Sequence, residues 1–227
     1  MELKLLLKKK KKKQEPIIKA EQRIALHALQ KQLQSLRLKE YLLLSGFIVG
    51  AALLRIPMQA LPSAEPLTFF AILAGWIFGR KKGFLVGASS LYISNFFMFG
   101  GQGPWTIMQA LSFGIAGFLG GFLRKKASYL EVITIALIGT LIFEILMNSF
   151  IPFMTGTSVF IAFALALPFM TIHLVSNLLF ALALPSAKKF IEKKGGFNEK
   201  DICANTLNKF GITGSFNWIK KLGKTEP

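Results

Sequence analysis

Polar side chains recur four residues apart within three of the long apolar segments of this chain. The pairs are Trp105 with Gln109, Glu144 with Asn148, and His173 with Asn177. Residues at positions i and i+4 lie on the same face of a helix, and ionisable groups inside apolar segments by default face a cavity or one another. Asn95 lies in a further apolar segment. The pattern predicts that these side chains converge on a binding pocket with an aromatic wall and a few polar groups.

Few other residues have a spacing that would support catalysis. The chain contains no G-x-x-x-x-G-K-[ST] phosphate loop and no H-E-x-x-H zinc motif. A serine hydrolase built on Ser112 and His173 is disfavoured, because a serine nucleophile needs small neighbours that shape an oxyanion site. Ser112 instead stands between Leu111 and Phe113. The single cysteine, Cys203, excludes an intramolecular disulfide and a multi-cysteine metal site. We therefore expect no enzymatic activity, no metal and no cofactor.

Hydrophobic residues and charges are segregated along the chain. Hydrophobic residues make up 52% of the 227 residues, the mean hydropathy is +0.49, and the charges are concentrated at the ends and in short connections. This distribution is typical of an all-α integral membrane protein, because lipid rejects both charge and unpaired backbone groups. A net charge of +17 would suggest nucleic acid in a soluble protein. Beside apolar blocks it indicates contact with membrane lipid instead, and we expect no nucleic acid.

The apolar blocks predict six transmembrane helices. Their predicted bounds are Tyr41–Pro57, Pro66–Gly79, Gly83–Phe99, Pro104–Leu123, Tyr129–Phe150 and Thr157–Leu184. The second is short for a membrane span, and the sixth contains Pro168, which we expect to kink it.

Lysine and arginine alternate between the connections of these spans. The second and fourth spans are each followed by RKK, at Arg80–Lys82 and Arg124–Lys126, and the sixth is followed by Lys188–Lys194. The other three connections contain no lysine or arginine. Because basic connections stay in the cytoplasm, we expect a multi-pass protein of the cell membrane with both termini cytoplasmic. The predicted pocket then opens to the exterior, with His173 nearer the middle of the membrane.

Two plainer interpretations of the pocket residues stay open. In the first, Glu144 pairs with His173 or with Arg55 merely to tie helices together. In the second, Trp105 belongs to the belt of tryptophan side chains at the membrane surface.

The chain is predicted to have three parts. Residues 1–40 form a basic cytoplasmic region that contains the lysine run Lys8–Lys13 and an amphipathic helix, which either lies on the lipid surface or docks on a protein partner. Residues 41–186 form the six-helix membrane domain, and residues 187–227 form a basic cytoplasmic tail.

Small residues recur at four-residue spacing in two of the spans. Gly46-x-x-x-Gly50 lies in the first span, and Gly117-x-x-x-Gly121 lies in the fourth. Such pairs let helices approach closely, either within the protein or against a partner.

The central part of the chain resembles a known family. The stretch LPSAEPLTFFAILAGWIFGRKKGFLVGASS, followed by GGQGPWTIMQALSFGIAGFLGG, is similar to the substrate-binding S components of energy-coupling factor transporters. The resemblance covers about Leu61 to Leu123, and GPWT with the downstream Gln109 is its most specific element.

The resemblance implies a small membrane protein that binds a vitamin or similar micronutrient from outside. Such a protein docks on a separate transmembrane T subunit that is driven by two ATP-hydrolysing subunits. In the family, an A-x-x-x-A motif on the first helix often makes the docking contact, and Gly46-x-x-x-Gly50 is the nearest match here. The vitamin stays open: Glu144 would suit a cationic ring such as thiamine's, and the long sixth span something larger such as a corrinoid. The alternative function is a six-span scaffold or assembly protein whose basic N-terminus binds lipid or partners.

Overall fold

A computed structural model describes residues 20–61 and 63–195 of the chain. The chain divides into two units, Leu38–Phe197 and a second that combines Met1–Arg37 with Asn198–Pro227. Of the second unit, only residues 20–37 are described. The predicted lysine run Lys8–Lys13 and the C-terminal tail beyond residue 195 therefore lie outside the described residues.

The described part of the chain contains six α-helices and no β-strand, as predicted. They are α1 (Ala20–Met58), α2 (Leu67–Phe78), α3 (Arg80–Ser94), α4 (Trp105–Gly120), α5 (Tyr129–Thr155) and α6 (Val159–Gly195). Each predicted span overlaps one helix. The predicted amphipathic helix is continuous with the first span, and α6 continues through both Pro168 and Pro185.

The helices fall into a long and a short set. Three stretches, His27–Met58, Tyr129–Thr155 and Val159–Lys194, are long and apolar enough to cross a membrane. The helices α2, α3 and α4 have only 12, 15 and 16 residues. At 1.5 Å per residue they are about 18 to 24 Å long, which is less than the roughly 30 Å of a bilayer's hydrocarbon core.

Glycines let the three short helices approach backbone to backbone. A Cβ atom added at Gly75 or Gly83 would collide with the carbonyl oxygen of Gly117, and one added at Gly117 would collide with the carbonyl oxygen of Gly83. Between α2 and α3, a single residue makes the turn: Gly79 has φ +92°, which L-residues other than glycine rarely adopt. The predicted small-residue motif at Gly117 thus serves packing within the protein.

The long helices α5 and α6 each pack on the short helices through a narrow buried face, which we call a seam. α5 begins with a capping box, in which the Ser128 hydroxyl accepts from the Glu131 amide and the Glu131 carboxylate accepts from the Ser128 amide. α6 buries one face at three- and four-residue spacing: His173, Asn177, Ala181, Leu184 and Lys188. In the main hydrophobic core, Ala181 and Leu184 of this seam pack with Ile72, Leu73, Val132 and Leu44.

The basic connections meet at one end of the helices. Lys188 Nζ donates to the Lys125 carbonyl at 2.9 Å, and Trp76 Nε1 donates to the Arg124 carbonyl at 2.8 Å. The Arg80 guanidinium lies 4.7 Å from the centre of the Phe122 ring. Two of the connections without lysine or arginine meet at the other end, where the Phe99 amide donates to Gln59 Oε1. At this end Ser176 Oγ of α6 also donates to the Ser63 carbonyl.

We predict that Gly83→Ala destabilises the fold, because its methyl group would collide with the backbone of α4. The expected cost is about 1–3 kcal/mol, as for other overpacked interiors. The matched control is Gly46→Ala, where an added Cβ meets nothing within 4 Å and where alanine favours the helix. Thermal unfolding of the purified chain in detergent, followed by tryptophan fluorescence, should show a lower midpoint for Gly83→Ala alone. An unchanged midpoint would mean that the backbones of the short helices are not in contact.

Candidate binding cavity

A cavity of about 480 Å³ lies between α5 and α6, beside the end of the loop that joins α1 to α2. Its volume is in the range of small-molecule sites, roughly 300–1,000 Å³. Four of the predicted pocket residues line it: Gln109, Glu144, Asn148 and His173. Phe143, Phe169 and Met147 form part of its apolar wall. Ser63 and Glu65 line the cavity from the loop. The cavity therefore combines residues from α4, α5, α6 and two connections, since Thr157 of the α5–α6 connection also lines it.

A buried carboxylate–imidazole pair forms one side of the cavity. His173 Nδ1 lies 2.6 Å from Glu144 Oε1, and the residues are 2% and 6% exposed. Asn148 Nδ2 donates to Glu144 Oε2 at 3.1 Å. An ionised carboxylate only accepts hydrogen bonds, so beside an ionised Glu144 the Nδ1 of His173 is the donor. The other ring nitrogen, Nε2, is buried without a hydrogen-bond partner.

Aromatic rings hold the imidazole in place. The Phe143 ring meets the His173 ring edge to face, with centroids 5.0 Å apart, and the Phe113 ring packs 4.8 Å from that of Phe143. Phe113 is 1% exposed. Because this packing fixes both rings, the buried Nε2 of this cavity-lining residue has a defined position.

Arg55 is the centre of a second buried network at the same end of the molecule. Its Nη1 donates to Ser94 Oγ at 2.8 Å and to Asn95 Oδ1 at 2.6 Å, and its Nη2 donates to Glu65 Oε1 at 2.9 Å. The Arg55 side chain is 7% exposed. One guanidinium group thus links α1, the end of α3 and the loop before α2, and its charge is paired rather than buried alone.

Asn95 connects this network to the cavity without lining it. Its Nδ2 donates to Thr106 Oγ1 at 3.3 Å and to Gln109 Oε1 at 3.2 Å. With Oδ1 committed to Arg55 and Nδ2 to α4, Asn95 has the geometry of a positioning residue for Gln109.

The structure places the other predicted site residues outside the cavity wall. Asn177 is 1% exposed, and its Nδ2 donates to Thr68 Oγ1 and Thr140 Oγ1, so it ties α6 to α2 and α5. The indole of Trp105 lies against Gly103, where an added Cβ would collide with the ring. Gly46 and Gly50 lie on α1, and an added Cβ at either meets nothing within 4 Å.

Other features of the site agree with the sequence interpretation at some residues and differ from it at others. Glu144 does pair with His173, as the plainer interpretation has it, yet both residues also line the cavity. Glu65 was missed; its signal was a carboxylate in an otherwise uncharged connection, PSAEP. Ser112 Oγ donates to the Met108 carbonyl. Among the described residues, no group of three or more histidine, cysteine or acidic side chains is placed to hold a metal ion.

Comparisons with known proteins give one family. No curated protein matches the chain, and no solved structure matches it. The family described as "Family of unknown function (DUF6580)" matches residues 36–198, a stretch that contains the cavity and both buried networks. Since this match covers well over half of the 227 residues, the chain belongs to family DUF6580.

Proposed function

We propose that the chain is a substrate-binding component of an energy-coupling factor type transporter, which takes a vitamin or similar micronutrient from outside the cell. The observation that supports this most is the position of the cavity. It is lined by Gln109, Glu144 and His173 on three different helices, at the end where the connections without lysine or arginine lie. A site for an external ligand needs this position if the basic end faces the cytoplasm.

The exposed surface supports a location in the cell membrane. Three helices are long and apolar enough to span a membrane, and in α6 only 6% of the apolar window is buried. Phe160, Leu179 and Phe153 are 88%, 63% and 86% exposed. A soluble protein rarely exposes so continuous an apolar surface, whereas lipid accepts it.

The short helices require a specific arrangement in a six-span protein. Each is shorter than the hydrocarbon core, so its connection must complete the crossing at one surface. The connection after α3 is suited to this, because Phe96, Phe97 and Phe99 are 62%, 60% and 97% exposed. We propose that these rings lie in the interface on the outer side.

We predict that the two ends of the helices face opposite sides of the membrane. In a chain whose native cysteine is replaced by Cys203→Ser, Gln102→Cys and Thr157→Cys should react with an impermeant thiol reagent added to intact cells. Lys125→Cys should react only after the cells are opened, although this position is equally exposed on the protein. Reaction of Lys125→Cys in intact cells would reverse the proposed orientation.

The proposal assigns ATP hydrolysis to separate subunits. The absence of a phosphate loop is compatible with a T subunit and two ATPases that power uptake. The Gly46-x-x-x-Gly50 face of α1 suits the docking contact with the T subunit, because it is open in the described structure and flanked by exposed Val49 and Leu53.

We predict that Gly46→Leu prevents docking but not ligand binding. The leucine side chain has room on the free protein, since nothing lies within 4 Å of the position, but it would hold a partner helix away. The measurement is co-purification with co-expressed T and ATPase subunits. The control is Ser45→Leu, an exposed position about 100° around the same helix from Gly46. Loss of ligand binding together with docking would assign Gly46 to the internal structure.

We predict that the purified chain carries a small molecule in the cavity. A bulky side chain placed in the cavity should prevent this molecule from binding. Ala162 lines the cavity, whereas Ala164 lies exposed on the same helix. Mass spectrometry of ligands released from the purified chain should find a compound in the wild type and in Ala164→Phe but not in Ala162→Phe. If all three release the same compounds, the cavity is not the binding site. If none releases any, the scaffold function becomes the better explanation.

A further inference from the structure

The cavity has an unbalanced set of charged groups. Its ionisable wall residues are Glu65, Glu144 and His173, and no lysine or arginine lines it. Arg55 lies outside the wall, and its guanidinium is paired with Glu65 Oε1. This guanidinium beside the cavity is therefore already paired with a carboxylate, and no described lysine or arginine of the wall is available to pair with an anionic ligand.

Two polar atoms of this wall are buried and unused. Each carboxylate oxygen of Glu144 has a partner, because Oε1 contacts His173 and Oε2 accepts from Asn148. Glu65 is only half used, since its Oε2 is buried without a partner, and His173 Nε2 is likewise unpartnered. A buried polar atom without a partner costs free energy, and the cost is greater for a charged group.

A carboxylate oxygen accepts hydrogen bonds. In the tautomer whose Nδ1 proton faces Glu144, His173 Nε2 accepts one as well. Glu65 Oε2 and His173 Nε2 are then both acceptors, so a ligand that satisfies them must bring at least two N–H or O–H donors.

The rest of the wall restricts the ligand further. Phe169, Leu165 and Ile161 contribute apolar surface from α6, and Met147 and Ile151 contribute it from α5. A hydrated inorganic cation would leave this surface against water. An organic molecule with an apolar body would bury it while its charged end reached the acceptors.

We propose that the ligand of this cavity is an organic cation, a protonated amine or amidine, whose N–H groups bind the two open acceptors Glu65 Oε2 and His173 Nε2 and whose apolar body lies against the Phe169 side of the wall. This inference rests on the proposed function and names the substrate class for the same site. Glu65 supplies the charge that selects the cation, and Glu144 keeps His173 in the tautomer that accepts a hydrogen bond.

Three small probes of nearly equal shape test the charge preference. Benzamidine is a cation with several N–H donors, benzamide is its neutral counterpart, and benzoate is the anion. Their binding to the full chain in lipid nanodiscs is measured by calorimetry. We expect benzamidine to bind roughly ten- to a hundredfold more tightly than benzamide, which is the usual effect of a charge-assisted hydrogen bond, and benzoate to bind most weakly.

Variants of the chain test whether the charge preference arises in the cavity. Glu65→Gln should reduce the ratio of benzamidine to benzamide affinity at least tenfold, while the control Glu192→Gln, an exposed carboxylate on α6, should leave it unchanged. Because the ratio is taken within one protein, a partly unfolded sample does not alter it. Ala162→Phe should abolish binding of all the probes.

The outcomes separate this inference from the proposed function. Equal affinity for the three probes, or preference for benzoate, with binding still abolished by Ala162→Phe, overturns the cation but keeps the cavity as a ligand site. Failure of benzamidine to bind overturns the cation as well, and the released compounds then decide the function. A neutral or anionic compound released by the wild type and absent from Ala162→Phe would also overturn the cation while supporting uptake of a small molecule.

Discussion

The contact between the backbones of α3 and α4 is the constraint on which the candidate site depends. Gly83 and Gly117 approach so closely that neither position has room for a methyl group. Only at this separation can the short side chains of Asn95 and Thr106 meet across the two helices, at 3.3 Å. The same approach brings Gln109 within hydrogen-bonding distance of Asn95 and to the wall of the cavity. Close packing of small residues at one end therefore determines the polar geometry at the other.

Arg55 has a comparable role for the loop before α2. The loop residue Ser63 has φ +63°, a conformation that is unfavourable for a residue with a side chain, so surrounding contacts must hold it. The ion pair between Arg55 and Glu65 and the hydrogen bond from Ser176 to the Ser63 carbonyl supply such contacts. A buried ion pair contributes little net stability, but here it fixes the position of one carboxylate relative to the cavity.

How far the sequence predicted this structure can be judged from particular residues. Spacing of four residues correctly placed Glu144 with Asn148 on one face, because helical geometry is local. It could not tell that Asn177 would face Thr68 and Thr140, because both are distant in sequence. Nor does four-residue spacing say that the Trp105 ring would lie against Gly103 instead of the cavity. The third span was predicted to reach Phe99, but α3 ends at Ser94. There Ser94 and Asn95 turn their side chains to Arg55, a contact across 39 and 40 positions of the chain that no local pattern reveals.

The seam of α6 determines the position of this helix along its own axis as well as its rotation about that axis. An apolar helix surrounded by lipid has nearly the same solvation free energy at any axial displacement of a few ångströms, because its side chains exchange one hydrocarbon neighbour for another. The polar members of the seam remove that degeneracy. His173 is bonded to Glu144 and Asn177 to Thr140, while Lys188, near the far end, is bonded to the Lys125 carbonyl. A slide of one residue, about 1.5 Å, would break all of these bonds at once, so α6 has a single axial register.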